Sequence, residues 1–154
     1  MPNRRTHQRA GAIAGGAVTL LATEELPAEA RLAAVLGGLG AGYVGGALPD
    51  IFEPALHSWH RAECHSATAC VGAIAATTKS VATLGRDILE RAAELRARRL
   101  ALRPDDASRF WLGLQELGLY ASYGAIIGLA AGYASHVILD GGTSRGIPLI
   151  GKGL

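Results

Sequence analysis

A chain of 154 residues is long enough for one domain with a core and too short for two comfortable ones, so residues 1–154 are expected to form a single unit. A formal charge of +2 is too small to make nucleic acid its main partner, and two cysteines, Cys64 and Cys70, give neither a disulfide framework nor zinc-knuckle spacing. The apolar content is 49% but only 5% is aromatic, and the 21 glycines, with many alanines, fall largely in the apolar runs, where small side chains let helix backbones approach closely.

The opening stretch "MPNRRTHQRAGAIAGGAVTLLATEEL" has the basic start and short apolar middle of a secretory signal. No good small-residue cleavage pattern follows its apolar run, so it is read as retained. The segment Ala10–Thr23 is a helix candidate, broken after its end by Pro27. A second apolar helix is expected over Leu32–Leu48, stopped by "LPD" with Pro49 and Pro54. The polar connector "LPDIFEPALHSWHRAECHS" then leads to a third apolar segment, Ser66–Leu84. "GRDILERAAELRARRLALR" carries apolar residues at helical spacing among charges, and reads as an amphipathic helix or an extension of the third. Pro104 and "DDAS" reset the chain before the last and longest apolar run, Trp111–Leu139.

A membrane span needs about 20 apolar residues, and only Leu117–Leu139 meets that length without a charge. Four full spans would also set Arg86–Arg103 on the opposite side from Arg4, Arg5 and Arg9, against the positive-inside bias. Yet small-x-x-x-small spacing recurs at Gly11/Gly15, Gly38/Gly42/Gly46 and Gly124/Gly128/Gly132, as in tightly packed membrane helices. The expectation is an all-α, up-down bundle of about four apolar helices plus a charged amphipathic one. It would be short-spanning or resting on a membrane, with a soluble cytoplasmic bundle as the alternative.

Alternating helices bring His7, Asp50, Glu53, His60, His65, His136 and Asp140 to one end of such a bundle. His136 and Asp140 stand four residues apart in "SHVILD", one helical turn on one face. Mixed imidazole and carboxylate donors suit a divalent metal, zinc first, with manganese or iron compatible, better than calcium. His57 and Glu63 read as surface or supporting groups. Taken singly, each residue is more simply a solvated loop group; the combination, with two polar residues on the most hydrophobic helix, carries the reading. "GAGYVG" at Gly40–Gly45 has dinucleotide-loop spacing but no preceding strand, and reads as helix packing. Ser66 and Ser135 adjoin histidines in sequence, which does not make either a nucleophile.

"GALPDIFEP", "HRAECHS" and "GYASHVILDGGTSRGIPLI", in this order, with an early "TH" at Thr6–His7, resemble the YdjM-like membrane-bound metal-dependent hydrolases. The resemblance covers most of the chain and is weakest from about Gly72 to Trp111. It implies a mainly helical protein of the bacterial inner membrane, organised similarly to zinc-dependent phospholipase C proteins, with His7, Asp50, His60, His65, His136 and Asp140 as metal ligands. Phe52 stands where many members carry a second aspartate, and Glu53 is the nearest substitute. The implied activity is hydrolysis of a phosphoester, in a lipid or another membrane-associated substrate, by a metal-activated water. Asp50 or Glu53, whichever does not ligate, is then the general base, and Arg61 and Arg145 are candidates for binding the anionic group. The competing expectation is a noncatalytic membrane or assembly protein in which a metal staples helix ends; a homo-oligomer is compatible with both.

Overall fold

The computed structural model describes residues 3–52 and 66–142, and every regular element among them is helical. The first helix, α1 (Arg4–Ala22), begins ahead of its apolar run because the Asn3 side chain caps it, accepting the Thr6 backbone N–H at 2.9 Å. Arg4, Arg5 and Arg9 therefore lie within the helix. After Pro27, α2 (Ala28–Gly45) ends earlier than the prolines suggest. Pro49 sits instead in the first turn of a short helix, α3 (Leu48–Phe52), where a missing N–H breaks no helical bond.

Ser66 caps α4 (Ala67–Ser80), its hydroxyl oxygen accepting the Ala69 N–H at 3.1 Å. A π-helical turn, Val81–Gly85, joins α4 without a break to α5 (Arg86–Ala101), so the charged segment is an extension of the third apolar helix. The last helix, α6 (Ser108–Gly141), starts beside Asp106, whose carboxylate accepts the Ser108 N–H at 2.8 Å. That bond to the backbone holds the Asp106 carboxyl below the usual carboxylate range.

The helices alternate in direction, and α1, α2 and α6 meet through their backbones. Along the parallel pair α2 and α6, a Cβ built on Gly124, Gly128 or Gly132 would overlap the carbonyl oxygen of Ala34, Gly38 or Gly42 respectively. Along the antiparallel pair α1 and α2, the same holds for Gly15 against Gly38, Gly11 against Gly42, and Gly46 against the carbonyl of His7. The repeat of four on every helix is the small-x-x-x-small stripe read in the sequence. The other two helices, α4 and α5, pack on α6.

The interior is correspondingly small. Its buried apolar residues are Ala30, Ala34, Ala47 and Ala92 with Tyr120, Tyr123, Ile127 and Val137, while Ile13, Leu21, Leu32, Leu36, Val71, Ile74 and Ile138 face outward. A water-soluble bundle sorts its side chains the other way, so this belt calls for a lipid surround. Among the described residues, three segments are long and apolar enough to cross a membrane: Ala28–Phe52, Ala67–Ala101 and Ser108–Gly141. That exceeds the single segment expected from charge-free length, because the helices run on past their apolar stretches.

Opposite the end that gathers the histidines, an ion cluster ties α2, α5 and α6. Glu116 is buried; one carboxylate oxygen takes Arg99 Nε at 2.8 Å and the other lies 3.6 Å from Arg96, which also pairs with Glu29 at 2.9 Å. Beside it, Ala30, Ala92 and Tyr120 form a small apolar cluster. Glu116 precedes Asp140 by 24 residues of α6, about 36 Å along the axis, comparable to a hydrocarbon core of about 30 Å.

Three substitutions test this packing. Gly128→Ala should lower stability in detergent by about 1–3 kcal/mol, as overpacking does. Gly72→Ala, where a Cβ meets nothing within 4 Å, should be neutral or stabilising by up to about 1 kcal/mol; equal effects of the two would contradict the backbone contact. Arg99→Ala should cost about 2 kcal/mol, less than the 3–5 kcal/mol typical of breaking a buried pair because Arg96 remains beside Glu116. Denaturant titration in mild detergent measures all three.

Candidate metal centre

The last turns of α6 place His136 and Asp140 on one face, with His136 Nε2 3.6 Å from Asp140 Oδ2. The first turns of α1 bring His7 against them: its Nε2 is 3.5 Å from Asp140 Oδ1, and its ring stacks on that of His136 with centroids 3.8 Å apart. From α3, Asp50 Oδ1 approaches to 3.6 Å of His136 Nε2. His7, His136 and Asp140 are buried, whereas the Asp50 side chain is 37% exposed and forms the open edge of the group.

The orientation of His136 follows from its second nitrogen. Nδ1 lies 2.7 Å from the carbonyl oxygen of Gly46. A carbonyl can only accept, so Nδ1 carries the proton and the Nε2 of a neutral ring presents a lone pair toward Asp50 and Asp140. A backbone carbonyl holding the far nitrogen of a histidine is the usual support of a metal-ligating imidazole. One donor atom from each of His7, His136 and Asp140 lies within 4.8 Å of the others, and nitrogen and oxygen donors converging in a mostly buried space fit a divalent cation.

Of the residues singled out in the sequence, the structure brings together His7, Asp50, His136 and Asp140. Glu53, His57, His60, Arg61, Glu63, His65 and Arg145 lie outside the described residues. The Ser66 hydroxyl oxygen is engaged as a helix cap, and the Ser135 hydroxyl donates to the Gly132 carbonyl at 2.8 Å, so both serve backbone roles. "GAGYVG" lies in the last turns of α2 and at its end, where Gly42 seats α1 and Gly45 seats α6. Sequence reasoning missed the Gly46 carbonyl. The one available signal was the small-residue stripe itself, which runs to Gly46 and so carries the end of α2 against the start of α1.

The profile of the YdjM inner membrane protein family matches residues 1–150. The chain belongs to that family. Neither the curated proteins nor the solved structures compared with it gave a match. Membership agrees with the outward apolar belt and the three spanning segments, and makes this YdjM-family chain a membrane protein rather than a soluble bundle. Its histidine and aspartate group thus stands at one end of membrane helices.

Nitrogen-15 spectra of the histidine rings should show His136 with the proton on Nδ1. A neutral ring protonated on Nε2 would contradict the bond to Gly46.

Proposed function

We propose that this YdjM-family protein is a divalent-metal-dependent hydrolase acting on a phosphoester in a lipid or another membrane-associated substrate. The observation that supports it is the convergence of His7, His136 and Asp140, with Asp50 at an accessible edge. His7, Asp50, His136 and Asp140 would hold the ion, with His60 and His65 completing the set; the donors suit zinc first, and manganese or iron also. When bound, such an ion brings a water's pKa toward neutrality and polarises the phosphoryl group.

The chain's own residues supply the rest of the chemistry. With Asp50 among the ligands, Glu53 takes the proton of the attacking water. Arg61 and Arg145 are proposed to pair with the substrate phosphate, since a guanidinium fork matches its oxygens. Arg4, Arg5 and Arg9, exposed on the first turns of α1, add positive charge at the same end, where anionic headgroups gather.

A second reading is favoured by the origin of the donors, which come from three separate helices, α1, α3 and α6. A metal there could act as a staple without catalysis. Elemental mass spectrometry on protein purified in mild detergent tests the site: wild type should carry near-stoichiometric zinc, manganese or iron, and His136→Ala should lose it. Folded wild type that holds no metal and takes up none when zinc or manganese is added would remove both readings. Glu53→Gln separates them, because only the hydrolase loses turnover in a phosphoesterase assay while keeping its fold.

A further inference from the structure

Among the described residues the bundle is not closed on all sides. Among the described residues, α4 packs on α6, has no buried residue of its own, and does not lie against α1 as a neighbouring helix would. Between them a cavity of about 260 Å³ opens on the outside of the bundle, lined by Ala22 of α1, Ile74 and Thr78 of α4, Val81, and Ile127 and Ala131 of α6. Its walls are mostly apolar, and the Thr78 hydroxyl donates to the Ile74 carbonyl of its own helix at 3.0 Å.

The cavity lies at a telling depth. Ile127 and Ala131 precede His136 and Asp140 by five to thirteen residues, about 8–20 Å along the helix. Tyr123, Ile127, Ala130, Ala134 and Val137 share one face of α6, which continues from the cavity to the turn that carries His136. The helices α1 and α4 both begin at the metal-ligand end, and the cavity lies farther along the same pair, against Ala22 and Val81.

We infer that this gap holds one acyl chain of a membrane glycerophospholipid whose phosphate faces the His7, His136 and Asp140 group. Three features select that occupant. The groove is continuous with the lipid-facing surface of a membrane protein, and its apolar floor lies within the length of an acyl chain below the polar end. The polar end complements an anionic phosphate, through Arg4, Arg5 and Arg9 and through the cation that the donor set fits. As the chain-binding part of the proposed substrate site, the inference rests on the phosphoester reading, but lipid occupancy can be observed without turnover.

The test uses the full chain in phospholipid vesicles doped with phosphatidylglycerol that carries a photoactivatable diazirine midway along one acyl chain. Labelling should concentrate on Ile74, Thr78, Ile127 and Ala131, and unlabelled phosphatidylglycerol should compete it away. Ala131→Trp on one wall and Ile74→Trp on the other should each remove the competed fraction while leaving bound metal unchanged; the second variant, on an exposed position, guards against misfolding of the first. Labelling spread evenly over outward residues such as Ile13, Leu21 and Leu36, with no competition, would overturn the inference. So would protection of the groove by a second copy, seen as a cross-linked dimer through α4. Competed labelling with no phosphoesterase activity would support the lipid site and reject the hydrolase; activity with uniform labelling would do the reverse.

Discussion

The approach of three helix backbones to carbonyl contact is the constraint on which the rest of this protein depends. In lipid the surround is as apolar as leucine, so helices gain little by hiding leucines from it and associate instead through dispersion between closely fitted surfaces. Glycine allows that fit by removing the Cβ that would strike the neighbour's carbonyl, as at Gly128 against Gly38 and Gly132 against Gly42. The same stripes set the register. Stepping in fours toward the end of α2, they bring the backbone of Gly46 beside His7 on one side and leave its carbonyl for His136 on the other. The candidate metal centre is in this sense the last layer of the glycine contact, where the helices are close enough for short polar side chains to meet.

The spine of the molecule is α6, which carries polar groups that an apolar helix holds only at a cost. Glu116 is compensated by two arginines from α5, and His136 by a backbone carbonyl and facing carboxylates. The two clusters sit about 36 Å apart along α6, a separation comparable to the thickness of a hydrocarbon core. Their compositions differ in kind. Arginine and glutamate neutralise each other and fasten α2 and α5 to α6, whereas the histidines and aspartates gather donor atoms that could hold a metal ion.

Much of this architecture was legible in the residues. The four apolar helices and their alternation follow from segment length and from prolines and caps, and alternation alone carries His7, Asp50, His136 and Asp140 to one end. The four-residue glycine spacing announced which faces would meet. Other features had no local signature. Charge-free length picks out one long segment where three described helices are candidate spans, and although an extension of the third helix was one reading of the charged stretch, nothing in "SVATLG" marks the π turn that makes α4 and α5 continuous. The bond from His136 to Gly46 joins residues 90 positions apart and depends on a carbonyl, which every residue carries, so the glycine stripe that runs to Gly46 could point to the end of α2 but not to the bond itself. That α4 packs mainly on α6 among the described residues likewise has no mark in its own sequence.

Those last two features divide the molecule into unequal parts. In α1, α2 and α6 the backbones interlock, and a small displacement of any one would drive a carbonyl into its neighbour; such a unit holds His7, His136 and Asp140 together, and Asp50 joins them from α3. On α4, by contrast, Gly72 has open space, no residue is buried, and hydroxyls such as those of Thr78 and Ser80 bond back to their own helix rather than across to another. Few buried contacts on one side of an element mean a lower local free energy of opening there. In the proposed reading this asymmetry is suited to a membrane substrate. The rigid three-helix unit keeps the ligand geometry constant, while the weakly held helix offers a route into it from the bilayer that does not require the rigid unit to move.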